Sequence, residues 1–157
     1  MEGKESRMLI ARWCEEEGWL ALSEKEAPQA DLITINVFGV GSKIAGEGEP
    51  ITVRWPEGKD YLTLEREIPM PGREIAQIFT GREVRDLIRQ EFEEMAFGWP
   101  GIVTFDFLPG AEEIVHRLGL RLYLDGLNKH TFLTAVDNLV KISYLLRAKY
   151  RRWLTLG

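Results

Sequence analysis

Apolar residues recur at two different spacings along the chain, and the spacing predicts where helices and strands lie. Residues 5–17 are predicted to form an amphipathic helix, because their apolar side chains recur three and four positions apart. These apolar positions are Leu9, Ile10, Trp13 and Cys14. Gly18 is the expected left-handed residue after the helix, and Trp19 is placed to pack back against it.

From residue 31 onward the apolar period changes to two, which predicts strands with one buried face. The first of these strands carries Ile33, Ile35 and Val37. A hairpin follows, in which ITVRW and YLTLEREI flank the turn PEGKD. Its inward positions are Ile51, Val53, Trp55, Leu62, Leu64 and Ile68. The segment PMPG at 69–72 is expected to end this half, because proline cannot continue a central strand.

The second half of the chain is predicted to hold a helix and two strands before a final helix. Thr80 is a good N-cap for the first helix, which the sequence GWP at 98–100 ends. Two alternating strands follow, and Arg117, Arg121 and Tyr123 occupy the polar face of the second. The apolar face of the two strands consists of Val103, Phe105, Phe107, Ile114, Leu118, Leu120, Leu122 and Leu124.

The stretch LDGLNKHTF, at the start of the last helix, has two interpretations. Its aspartate, asparagine, lysine, histidine and threonine are residue types that many active sites contain. They also fit a helix start with Leu127 at N′, Asn128 as N-cap and Phe132 at N4. We favour the helix start, and on this interpretation Lys129 and His130 are first-turn side chains that point to solvent.

The last helix, predicted from residue 129 to residue 152, is apolar around most of its circumference. On a helical wheel its polar residues share one arc of about 100°. They are Thr134, Asp137, Asn138 and Lys141. A helix on one sheet needs only a narrower apolar stripe, so a second cover is expected, either from another helix of the chain or from a second subunit. We favour a homodimer, with Val140 and Tyr144 on the dimer or partner surface.

The order of the predicted elements defines the fold class. It reads helix, three strands, helix, two strands, helix, or α-β-β-β-α-β-β-α. Consecutive strands joined by short turns favour an antiparallel sheet of about five strands with segregated helices, which is the α+β class. No linker or internal repeat divides the chain, so residues 1–157 are expected to form a single α+β domain.

The composition narrows the class of protein further. A hydrophobic fraction of 45% and a charged fraction of 29% are typical of a globular protein. No apolar stretch has the length of a transmembrane helix, and MEGKESR lacks the apolar core of a secretory signal. Cys14 is the only cysteine, so an internal disulfide is excluded. We expect a cytoplasmic protein without a transmembrane segment.

The sequence lacks the motifs of the common catalytic and cofactor sites. GVGSKIAG at 39–46 has the glycines and lysine of a phosphate loop, but a P-loop has another order and leads into a helix. One cysteine and two separated histidines do not form a zinc site. Cys14 lies on the apolar side of its helix, and no G-x-S-x-G elbow is present. We therefore predict no catalytic residue, no cofactor and no metal ligand.

A binding surface is predicted where Arg117, Arg121 and Tyr123 line one strand face. Basic and aromatic side chains on a sheet can stack nucleobases. However, Glu65 and Glu67 are outward positions of a neighbouring strand, and the net charge is −5. Cross-strand ion pairs explain the same residues, so the sequence gives no clear indication of nucleic-acid binding.

The order of elements resembles the type III secretion chaperone-like fold, which YbjN-like proteins share. The helix ARWCEEEGW, the middle hairpin and the unit LYLDGLNKHTFLTAVDNLVKIS together look like a family of archaeal proteins of unknown function with that fold. The resemblance covers most of the chain, but the matching residues are structural. It implies the fold and a dimer, whereas a role in binding extended client segments does not transfer from fold alone.

These observations favour a non-enzymatic binding or adaptor module that engages a protein or peptide client. Two alternatives remain at this point. One is an uncharacterised enzyme that uses scattered carboxylates. The other is weak binding of nucleic acid or a membrane surface by the basic residues at 147–152, which also suit the negative end of a helix dipole.

Overall fold

The computed structural model describes residues 3–23, 31–37, 49–71, 102–109 and 113–156, together with residues 86, 90, 91, 93 and 94. A short 3-10 turn, Leu124–Gly126, precedes the last helix. The other elements are α1 (Gly3–Glu16), β1 (Leu20–Ser23), β2 (Asp31–Val37), β3 (Glu49–Trp55), β4 (Tyr61–Pro71), β5 (Ile102–Pro109), β6 (Glu113–Tyr123) and α2 (Lys129–Leu156).

The strands form one sheet in the order β1-β2-β3-β4-β6-β5, and every recorded pair of neighbours is antiparallel. The expected α+β class is confirmed. The described residues hold six strands rather than about five, because the short run LALS forms β1. β4 and β5 both run antiparallel to β6 and are hence parallel to each other.

The expectation that PMPG ends a strand is wrong at its first three residues. β4 continues through Pro69, Met70 and Pro71, which pair with Val115, Ile114 and Glu113 of β6. The recorded pairs between β3 and β4 end at Glu65, so β6 is the recorded neighbour of the two prolines. A proline is tolerated where its missing N–H faces the side of a strand without a ladder.

The C-terminus of α1 has the predicted cap. Gly18 adopts a left-handed φ of 73°. The N–H of Trp19 donates to the carbonyl of Cys14 at 2.8 Å, and the N–H of Gly18 donates to that of Glu15 at 3.0 Å. These two bonds define a Schellman motif. Trp19 is half-buried and packs against the core, as predicted.

The core lies between one face of the sheet and the two helices. All six predicted inward residues of the hairpin are buried, and they join Ile10, Trp13 and Cys14 of α1 in one cluster with α2. The rings of Trp13 and Phe132 lie 5.8 Å apart. The indole N–H of Trp55 donates to the Ser6 hydroxyl at 2.9 Å, so this buried polar group is satisfied.

The start of α2 is a reciprocal cap. The side-chain Oδ1 of Asn128 accepts from the backbone N–H of Thr131 at 3.0 Å. The backbone N–H of Asn128 donates to the Thr131 hydroxyl at 3.0 Å. Asn128 is therefore the N-cap, with threonine in the place that glutamate or glutamine takes in a capping box.

The prediction that Lys129 points to solvent is wrong, because its side chain forms ion pairs with the end of α1. Its ammonium lies 2.7 Å from a carboxylate oxygen of Glu16 and 3.4 Å from one of Glu17. Positive charge is unfavourable in the first turn of a helix. The glutamates at the end of α1 offset that effect, and the ion pair ties α1 to α2. His130 is exposed, as expected.

The chain itself supplies much of the second cover of α2. Buried residues span an arc of about 160° on the helix. α2 contacts α1 as well as β4 and β6. Lys149 also lies 3.5 Å from Glu91, one of the helical residues before β5. Two elements therefore flank α2 in addition to the sheet.

Several sequence predictions lie outside the described residues. They include the N-cap at Thr80 and the loop GVGSKIAG. Of the helix predicted to follow Thr80, residues 86, 90, 91, 93 and 94 are described and are helical.

Candidate binding surface on the outer face of the sheet

The pairing of β4 with β6 brings the outward side chains of the two strands together. Tyr61 lies opposite Tyr123, and Glu67 lies opposite Arg117. Leu118, Leu120 and Leu124 are buried against the helices. These leucines alternate along the chain with the polar residues Arg117, Arg121 and Tyr123. Because side chains alternate between the faces of a strand, the predicted polar residues lie on the face away from the helices.

Cross-strand ion pairs occupy the middle of this outer face. A guanidinium nitrogen of Arg117 lies 3.0 Å from a carboxylate oxygen of Glu67. Arg54 of β3 lies 3.4 Å from a carboxylate oxygen of Glu65. The expected cross-strand pairing is therefore present. These charges neutralise one another, so this part of the face presents no basic patch.

At the C-terminal end of β6, the outer face carries an arginine and two aromatic rings instead of ion pairs. The guanidinium carbon of Arg121 lies 4.2 Å from the ring centroid of Tyr61, which is a cation–π contact. The rings of Tyr61 and Tyr123 meet edge to face, with centroids 5.8 Å apart. We refer to Tyr61, Arg121 and Tyr123 as the Tyr–Arg–Tyr cluster.

The cluster holds a cation against partly exposed aromatic surface. A side-chain hydrogen bond with Tyr123 raises the pKa of Arg121 above its ordinary value. Tyr123 is 51% exposed. Within the described part of the chain, the guanidinium of Arg121 forms no salt bridge, unlike those of Arg54 and Arg117. The cluster thus offers a planar cation and a ring edge to an incoming group.

A cavity of about 300 Å³ opens between β6 and the first turns of α2, on the side of the sheet that carries the helices. Arg121 belongs to its lining, although the guanidinium of Arg121 lies with the cluster on the outer face. Its apolar wall is formed by Leu120, Leu122 and Ala135, and its polar wall by His130, Thr134 and Asn138. This volume is at the lower end for ligand pockets and suits a single side chain or a small molecule.

Neither Thr131, which lines the cavity, nor Cys14, which lies in the core, is available as a nucleophile. The hydroxyl of Thr131 donates to the carbonyl oxygen of Asn128 at 3.0 Å and accepts from the backbone N–H of Asn128, so both of its hydrogen-bonding roles serve the helix cap. Cys14 is fully buried in the core, and burial raises the pKa of its thiol to about 12. Among the described residues, no group of three or more histidine, cysteine, aspartate or glutamate side chains is placed to hold a metal ion.

The predicted surface residues fall into two groups. Arg121 and Tyr123 belong to the cluster, whereas Arg117 lies about 13 Å away along β6 and pairs with Glu67. Val140 is 9% exposed and belongs to the core of its own chain, whereas Tyr144 is 53% exposed. Of the two predicted partner-surface residues on α2, Tyr144 is therefore the exposed one, and it lies next to Leu145, which is 42% exposed.

Sequence reasoning missed two residues on β4. Tyr61 is the aromatic base of the cluster, and the alternation in YLTLEREI already places it on the polar face. Arg66 shares the parity of Leu62 and Leu64 and is 6% exposed, with one guanidinium N–H donating to the carbonyl of Glu67 at 2.9 Å. The same alternation would have revealed this inward-facing charge.

A protein of known structure has the same fold. The crystal structure of an uncharacterized protein from Methanothermobacter thermautotrophicus matches with a TM-score of 0.69, covering 95% of this chain and 99% of that chain at 16% identity. No family model and no curated protein matches the chain. The neighbour is an archaeal protein of unknown function, as the sequence resemblance implied. At this identity the likeness shows the fold alone.

No helix in the described part of the chain combines the length and the apolar character needed to cross a membrane.

Proposed function

We propose that this protein is a non-enzymatic binding module that holds a segment of a protein client against the outer face of its sheet. The observation that carries the proposal is the Tyr–Arg–Tyr cluster, in which Arg121 lies over Tyr61 beside the exposed ring of Tyr123. Tyrosine and arginine are the residue types that most often dominate protein interfaces. Here their contacts with one another already hold these side chains, so little side-chain freedom is lost on binding.

The charges on the outer face favour a protein client over a nucleic acid. Nucleic-acid surfaces contact several phosphates and need a run of basic side chains. Arg54 and Arg117 are each paired with a glutamate, whereas Arg121 forms no salt bridge within the described residues. A single planar guanidinium matches one carboxylate through two parallel hydrogen bonds.

The geometry also suggests the chemistry of the client segment. A carboxylate would bind Arg121, and an adjacent aromatic or aliphatic side chain would pack on Tyr123. We therefore propose a client segment that combines an acidic residue with apolar neighbours.

The same proposal covers the oligomeric state, the fold type and the cellular location of the protein. We propose that it is a cytoplasmic homodimer with the type III secretion chaperone-like arrangement that YbjN-like proteins share. The antiparallel sheet, the helices packed on one face and the helical residues between β4 and β5 support this arrangement. The exposed Tyr144 and Leu145 on α2 support a second subunit.

A peptide-display selection tests the proposed binding. The folded protein is immobilised and a random peptide library is selected on it, and the affinity of the enriched peptides is measured by calorimetry. We expect enrichment of acidic and aromatic residues. Arg121→Ala should weaken binding by about tenfold or more, since a buried arginine anchor contributes at least about 1.4 kcal/mol.

Arg12→Ala is the matched control, because Arg12 is an exposed arginine of α1 in an ion pair with Glu16. It should bind the enriched peptides like the wild type. The proposal is contradicted if no sequence is enriched, or if the two arginine variants bind equally well. Binding of a single-stranded oligonucleotide that Arg121→Ala abolishes would also count against it.

A further inference from the structure

The exposed side of α2 carries a continuous line of residues with heptad spacing. Successive members lie alternately three and four positions apart, and each is exposed. They are Thr134, Asp137, Lys141, Tyr144, Ala148 and Arg151. This spacing keeps one side of a helix facing a second helix along its whole length. The line lies opposite the buried side of α2, which packs on the core.

Tyr144 and Ala148 form an apolar stretch of this line, with the charged residues Asp137 and Lys141 before it and Arg151 after it. Tyr144 is 53% exposed and Leu145 is 42% exposed, and Ala148 lies one turn further on. Asp137 lies two turns before Tyr144, and Arg151 lies two turns after it. An apolar centre between opposite charges is the arrangement expected of a helix seam rather than of a solvated face.

The charges distinguish between the two directions in which a second helix could lie. In an antiparallel pair centred on Tyr144, Asp137 faces Arg151 of the partner subunit, and the symmetry repeats that contact. In a parallel pair, each charge would face its own copy and repel it. Within one chain the two residues lie about 21 Å apart, too far to pair with each other.

We propose that α2 packs against α2 of a second copy of this chain, antiparallel and centred on Tyr144. The contact is isologous, because one surface serves both subunits. It rests on the homodimer of the proposed function and assigns the surface through which that homodimer forms. It leaves the Tyr–Arg–Tyr cluster, on the outer face of the sheet, available to a client.

A charge-swap series followed by sedimentation equilibrium tests the proposal. The wild type should show a dimer of twice 18.0 kDa. Asp137→Arg and Arg151→Asp should each weaken dimerisation by about tenfold or more, because like charges then meet twice across the seam. The double variant should recover most of that loss, and only a contact between subunits can produce this recovery.

The outcomes distinguish an error in the proposed interface from an error in the proposed oligomeric state. A dimer that no variant weakens, or a double variant as weak as the single ones, overturns the α2 surface and leaves the homodimer standing. A wild type that is monomeric at every concentration overturns both. Neither result bears on peptide binding at Arg121. Thermal unfolding of each variant controls for the loss of the 2.6 Å pair between Asp137 and Lys141.

Disulfide crosslinking gives a second test that does not depend on the charge variants. Tyr144→Cys should form a disulfide-linked dimer under mild oxidation, because position 144 lies opposite itself at the two-fold axis. Met8→Cys is the control, since Met8 is 64% exposed on α1. Cys14 is fully buried and contributes no background. Equal crosslinking of the two variants would overturn the proposed surface.

Discussion

Asn128 shows how a group of polar residues can resemble a catalytic site and serve another purpose. Its side chain accepts from the N–H of Thr131, and its own N–H donates to the threonine hydroxyl. Two hydrogen-bonding groups that a helix start leaves unpaired are thereby satisfied. The polar side chains of LDGLNKHTF therefore begin α2, and the cavity beside them is lined by residues of its first turns.

We expect Asn128→Ala to lower the free energy of unfolding by about 1 kcal/mol, because the first turn of α2 loses its cap. Urea denaturation of the variant and the wild type measures this difference. Asn128→Asp is the control and should retain stability, since aspartate also caps and its charge suits a helix start. An alanine variant as stable as the wild type would refute the assignment of the cap.

Cys14 provides a prediction about reactivity. Burial raises the pKa of its thiol to about 12, and the side chain is fully buried. At about pH 8 only about one thiol in ten thousand is therefore ionised, so we expect the native protein to react very slowly with a disulfide reagent. The same thiol should react at once in guanidinium. Rapid reaction of the native protein would place Cys14 at the surface.

At the scale of elements, the ion pair between Lys129 and Glu16 connects the start of α2 to the end of α1. A side-chain hydrogen bond from Lys129 holds the pKa of Glu16 below its ordinary value. The corresponding bond raises the pKa of Lys129. A carboxyl with a lowered pKa in the folded state contributes stability above its unfolded pKa, and the contribution is lost as the pH falls through the folded pKa.

We therefore expect Lys129→Gln to be less stable than the wild type near neutral pH, and the gap to close as Glu16 becomes protonated in acid. Denaturant unfolding of both proteins across the acid range measures the gap. Lys59→Gln, at an exposed position in the loop between β3 and β4, should show no such pH-dependent gap. A gap of constant size from neutral pH to acid would mean that Glu16 is not the partner that matters.

The elements show which parts of the fold could be predicted from the sequence. Alternation along the hairpin identified the inward residues of β3 and β4, because burial on one face leaves a local period of two. The prolines of β4 were misjudged, since the side on which a strand lacks a neighbour depends on the order of strands in the sheet. The contact of Lys129 with Glu16 joins residues 113 positions apart, and no local pattern reports such a distance.

At the scale of the whole molecule, two of the three residues of the Tyr–Arg–Tyr cluster could be identified from the sequence. Arg121 and Tyr123 were found because they share a polar strand face. Tyr61 was missed although the alternation in YLTLEREI places it on the same polar face as Glu65 and Glu67, next to β6. Arg117 was grouped with Arg121 because both lie on the same face of the strand. Unlike Arg121, Arg117 forms a salt bridge with Glu67 and does not belong to the cluster. The cavity depends on the packing of α2 against β6, which no pattern in either segment reports.

The molecule thus separates two surfaces. The outer sheet face carries the Tyr–Arg–Tyr cluster, and the exposed side of α2 carries the seam proposed for a second copy. The helices pack on the inner face of the sheet, so a dimer formed through α2 leaves the outer faces of both subunits open. We infer that one homodimer presents two equivalent client sites.

An NMR titration of the isotope-labelled protein with an enriched peptide tests the central claim most directly. The account predicts that amide signals of Tyr61, Arg121, Tyr123 and their strand neighbours shift progressively and saturate, while those around Met8 on α1 stay in place. Shifts centred on α1 or on the exposed side of α2, with the signals of the cluster unchanged, would contradict it.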